Sequence, residues 1–133
     1  MGKTDIGNRK DVSLLVHRFY EKVRKDPEIG DFFNSTIMDW PGHMEKLIDF
    51  WETNLLFVQK YKGNPIKVHA ELDKKVGHKI ENYHFGIWLR HWMETLDAHF
   101  EGPNAEKAKQ RARNISVRMF MAIFEERRPL ANN

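Results

Sequence analysis

An all-α fold is predicted by three features of this 133-residue chain. Apolar residues recur at spacings of three, four and seven from one end to the other, the period of helices that bury one face. No stretch alternates apolar and polar residues over the roughly four to eight positions of a half-buried strand. The breaks between periodic segments carry Pro, Gly and capping residues, where helices stop and start. A chain of this length makes one domain, so residues 1–133 are read as a single unit with a radius of gyration of roughly 14 Å.

The first helix is expected to open at Asn8, paired with Asp11 as a cap. Val12, Leu15, Val16, Phe19 and Val23 form its apolar stripe, and Asp26-Pro27 ends it. Tyr20 lies on the stripe's edge, where its ring can be buried while its hydroxyl needs a partner; for most such tyrosines a backbone carbonyl serves. Residues 27–36 form a connector with a short turn, anchored by Phe32-Phe33. A second long helix starts near Trp40, with Pro41 in its first turn. Its inward face carries His43, Leu47 and Trp51 at one-turn intervals. His43 either lines a pocket with them or sits half-exposed at the helix start.

Residues 61–72 (YKGNPIKVHAEL) hold a short helix. Gly63 breaks the preceding helix, Asn64 caps the new one and Pro65 starts it. His69, one turn in beside Ile66, either ligates a metal or cofactor in a pocket or packs against the core edge. Residues 73–83 are charged, are broken by Gly77 and read as a loop. The next helix, about 82–100, places Phe85, Trp88, Leu89, Trp92, Leu96 and Phe100 inward, with His84 and His91 on its flank. Gly102-Pro103-Asn104 makes a stop and a new cap. The last helix, from about 105 towards 127, turns Ala108, Ala112, Ile115, Met119, Ala122 and Ile123 inward.

Composition narrows the function. The chain is 41% hydrophobic and 31% charged, and its nine Phe, four Trp and six Met make a bulky apolar part, suited to a core built around something flat. Without cysteine there is no disulfide, no thiolate metal site and no thioether-linked haem, and a reducing compartment is the natural home. No signal peptide and no membrane span are legible, so a cytoplasmic location is expected, with no membrane partner. The net charge of +3 and pI of 9.2 come from basic residues interleaved with 19 acidic ones, which argues against a nucleic-acid surface. Phosphate-cradling glycine loops and hydrolase or zinc-protease motifs are missing. The histidines at 17, 43, 69, 78, 84, 91 and 99 include no pair at the spacing of a helical zinc site.

Four candidates on separate segments remain: Tyr20, His43, His69 and Trp88. Around them, Phe19-Tyr20-Glu21-Lys22-Val23-Arg24-Lys25-Asp26, Trp40 with His43, Phe50-Trp51, Tyr61-x-Gly63-x-Pro65 with His69, His84-Phe85-x-x-Trp88-Leu89 and the run from 105 to 113 stand in order. Together they resemble the third group of truncated haemoglobins, from about residue 8 to residue 124. The resemblance implies a truncated globin-like fold, a two-over-two helical sandwich around a non-covalent haem b (iron protoporphyrin IX). It implies His69 as proximal iron ligand, and Tyr20, His43 and Trp88 as the distal side. Phe33, Leu47, Trp51 and Phe85 then pack near the porphyrin. A phenol hydroxyl and an indole N–H can both donate to the partly negative oxygen of a ligand. The segment between His69 and Trp88 is longer than in many members and contains His78. His69 is preferred over it as the ligand because of its Pro-anchored helix.

The resulting expectation is reversible binding of dioxygen or another diatomic gas, nitric oxide or carbon monoxide, at a His-ligated iron. Two alternatives stand beside it. The same pocket can serve a nitric-oxide dioxygenase or peroxidase-like enzyme, which needs a reductase partner or peroxide. The fold can also be a haem-free helical interaction domain whose histidines are structural.

Overall fold

The computed structural model describes residues 2–56 and 80–127. His69 and His78, with the expected helix over 61–72 and most of the loop after it, lie outside the described residues. Five helices are present among those described: α1 (Arg9–Lys25), α2 (Gly30–Asn34), α3 (Trp40–Leu56), α4 (Asn82–His99) and α5 (Pro103–Arg127). The four long ones close a ring of contacts, with α1 on α3 and α4, and α5 on α4 and α3.

Helix α1 begins as its sequence dictates. The Asn8 side chain accepts the N–H of Asp11 at 2.9 Å, and Asp26 closes the other end in an extended conformation. Every residue of the expected stripe is buried, and Tyr20 is buried with them. The connector is more regular than expected, since its middle is the helix α2, too short for an apolar period to reveal. Gly30 opens α2 with its Cα against the end of α1. A Cβ there would meet the Arg24 carbonyl oxygen at 2.7 Å, so only glycine allows this approach.

Asp39 caps α3. Its side chain accepts the N–H of Gly42 at 3.0 Å and its carbonyl accepts that of His43, which fixes the first turn carrying His43. The core between helices is aromatic. Trp92 is fully buried, stacks on Trp51 with ring centroids 4.5 Å apart and meets the edge of Phe19 at 4.9 Å. Its indole N–H donates to the Ala108 carbonyl at 3.1 Å, so the one polar atom of this large side chain is satisfied. Ala105, Ala108 and Ala112 are buried along α5, where small side chains leave room for the indole.

The start of α5 is capped from the other end of the chain. Both Asp5 carboxylate oxygens accept backbone N–H groups, from Asn104 and Ala105, at 2.9 Å. Gly102, at φ 141°, makes the turn, and a Cβ there would collide with the Asp5 side chain. None of the described helices is long and apolar enough to cross a membrane.

Candidate functional site

The buried end of α1 supplies the site's central polar group. Tyr20 is 5% exposed, and its ring meets Phe33, Trp40 and His43 edge-on, each with centroids 5.8 Å apart. These partners come from two elements: Phe33 from α2, and Trp40 and His43 from the first turn of α3. From α4, Trp88 meets Phe19, the neighbour of Tyr20, edge-on at 5.5 Å, and lies close enough to the phenol to draw its pKa down. Tyr20, His43 and Trp88, expected together from sequence, thus lie in one cluster. Burial pushes the Tyr20 hydroxyl well above the ordinary phenol range, against a smaller opposite pull from Trp88, so it stays a protonated donor.

Trp40 closes the outer side of this cluster. Its ring is 5.6 Å from that of His43, and the Arg24 guanidinium lies over its face at 4.1 Å. Arg24 is itself held by Asn34, whose side chain accepts from Nε at 2.9 Å and donates to the Arg24 carbonyl at 3.0 Å. The Nε2 atom of His43 is buried.

On the inner side an apolar cavity opens. Ile29, Phe32 and Phe33 form one wall, His84, Phe85 and Trp88 of α4 another, and Ile80, Met119 and Ile123 complete it. Phe33 and Trp88 belong to both the cavity and the Tyr20 cluster, and so join the two, while Tyr20 and His43 are not themselves among the lining residues. Phe85 lines the cavity and meets Phe120 of α5 at 6.2 Å. Leu47 is half-buried against the core, one turn from His43. Trp51 faces Trp92 in the interhelical core and is not among the cavity's lining residues.

Two features of α4 escape a reading by helical period. His84, expected on the flank, is 8% exposed, because Phe32 packs edge-on against it at 4.8 Å. His91, also expected on the flank, binds Asp26 at the end of α1 through Nε2 at 2.7 Å. Burial opposes ionisation of Asp26. The His91 hydrogen bond and the N–H groups of Glu28 and Ile29 outweigh it and hold the carboxyl below its usual range. Both histidines were visible as residues, but Phe32 and Asp26, which pack against them, are far away in sequence. No group of three or more metal-ligating side chains occurs among the described residues.

Comparison with known proteins agrees with this fold. Residues 4–121 match the family described as Bacterial-like globin. The chain is 33% identical over 113 residues to the group 3 truncated hemoglobin ctb of Campylobacter jejuni, covering 82% of this chain and 85% of that one. It is 30% identical over 94 residues to the group 1 truncated hemoglobin GlbN of Mycolicibacterium paratuberculosis, covering 70% of this chain and 63% of that one. Among solved structures, the group III truncated hemoglobin from Campylobacter jejuni superposes with a TM-score of 0.82 at 29% identity, covering 96% of this chain and all of that one. With helices, sequence and superposition in agreement, the chain belongs to the bacterial-like globin family, on its group III truncated-haemoglobin branch.

Proposed function

We propose that this globin holds a non-covalent haem b and reversibly binds dioxygen or another diatomic gas on it. The observation that carries the reading is the buried Tyr20 beside His43 and Trp88, in a cluster joined through Phe33 and Trp88 to an apolar cavity. The described walls fit a flat, largely apolar macrocycle. They offer Phe32, Phe33, Phe85, Met119 and Ile123 to its faces and edges. When bound, haem supplies an iron atom able to take up a diatomic ligand.

The chain's own residues do the rest. His69 is the iron ligand in this reading, preferred over His78 because Pro65 shortly precedes it in the sequence. Tyr20 gives a hydrogen bond to the partly negative oxygen of the ligand, and its raised pKa keeps the proton on the phenol. Trp88 orients that hydroxyl from α4, and His43 adds a second nitrogen on the same side. Phe33, Leu47, Trp51 and Phe85 exclude water from, or support, the space between them.

The test is an absorption spectrum of the purified protein supplied with haem, reduced with dithionite and exposed to carbon monoxide. A strong Soret band that shifts on adding the gas is expected. It should be lost in His69→Ala and kept in His78→Ala. A protein that stays colourless with haem in excess contradicts the reading and leaves a helical interaction domain.

A further inference from the structure

His84 is fixed in one protonation pattern by its own helix start. The backbone N–H of Glu81 donates to its Nδ1 at 2.7 Å, so the lone pair of Nδ1 is engaged and the ring proton sits on Nε2. Nε2–H is thus a donor, and among the described residues the hydrogen bond the ring makes is the one at Nδ1. The ring lines the apolar cavity. Its neighbour Tyr83, with ring centroids 4.1 Å apart, is 57% exposed, which places His84 where the cavity meets solvent. The charged groups facing it are Glu81 of its own segment and the exposed Glu28. A donor fixed at the wet edge of an apolar slot suits a ligand with an apolar body and an acidic margin, since carboxylates stay near water.

We propose that Nε2–H of His84 donates a hydrogen bond to a carboxylate of the bound porphyrin and so sets its retention and orientation. The inference rests on the haem-binding reading above. It also excludes His84 as an iron ligand, because Nε2 would have to give up its proton while Nδ1 still accepts from Glu81.

The experiment compares transfer of haem and of haem dimethyl ester, whose carboxylates are blocked, from the holoprotein to an excess of an apoglobin acceptor. In wild type against His84→Phe, haem loss should accelerate about tenfold, the effect of one hydrogen bond to a charged group. Loss of the diester should be the same in both proteins. His84→Gln, which keeps a donor near the Nε2 position, should restore slow haem loss. Equal acceleration for haem and diester would show that the side chain acts by packing alone and overturn the proposal. Nitrogen-15 spectra of the wild-type apoprotein give a check independent of any variant, and a proton on Nδ1 of His84 would also overturn it. If neither wild type nor variant takes up haem, the underlying function fails instead, a result recognisable from the absent Soret band.

Discussion

Tyr20 shows how one side chain serves both core and site. Its ring completes the buried stripe of α1, while its hydroxyl, kept protonated by burial, is the donor that the proposed function calls for. Because its pKa is raised by folding, it contributes stability that is complete below the unfolded phenol value of about 10 and is lost as pH rises above it. In urea unfolding, the stability difference between wild type and Tyr20→Phe should therefore shift against wild type between about pH 9 and pH 11; a constant difference would remove the burial argument. Trp92 represents the opposite case, a large side chain that is purely structural. It is fully buried, stacked and hydrogen-bonded, so Trp92→Ala should cost about 3–5 kcal/mol in the same measurement. The identity of both residues as inward-facing aromatics was legible from periodicity. Periodicity did not separate their roles, and only the family resemblance singled out Tyr20, because its setting depends on Phe33, Trp40 and His43 arriving from other elements.

At the scale of elements, two acidic residues tie helix ends together across the chain. Asp26 ends α1 and grips His91 of α4, one turn beyond Trp88, so the pair helps hold the face of α4 that acts on Tyr20. The folded Asp26 carboxyl titrates below its unfolded value. Its stabilisation is present above the unfolded pKa and is lost as pH falls through the folded one. His91→Leu should accordingly cost roughly 1.5–3 kcal/mol near neutrality, the worth of a hydrogen bond to a charged group, and flatten the acid limb of stability against pH. An unaltered acid limb would show that the pair is not coupled to folding. Asp5, in turn, caps α5 from 99 residues away. Asp5→Ala should lower stability by about 1 kcal/mol, and amide exchange should quicken first at Asn104 and Ala105. The local caps, Asn8 with Asp11 and Pro41 in its first turn, could be read from sequence because their partners lie within one turn. Asp5, Asp26 and Arg24 act over long separations, for which no periodic signal exists, and α2 is too brief to show a period.

For the molecule as a whole, the ring of α1, α3, α5 and α4 brings Tyr20, His43 and Trp88 together from three helices, with Trp88 also lining an apolar cavity. The all-α class and the globin likeness were legible because long amphipathic segments and short ordered motifs survive in the linear sequence. The packing of His84 into the cavity wall and the clamp of Arg24 on Trp40 were not, since each depends on where α2 places Phe32 and Asn34. On the proposed function, the long-range assembly exists to hold one phenolic donor at a gas ligand. The most direct test is stopped-flow measurement of dioxygen release from the ferrous haem-loaded protein and its Tyr20→Phe variant. A donor bond of roughly 1.5–3 kcal/mol predicts release about ten- to a hundredfold faster in the variant. An unchanged rate would contradict the account and take Tyr20 out of the ligand's surroundings.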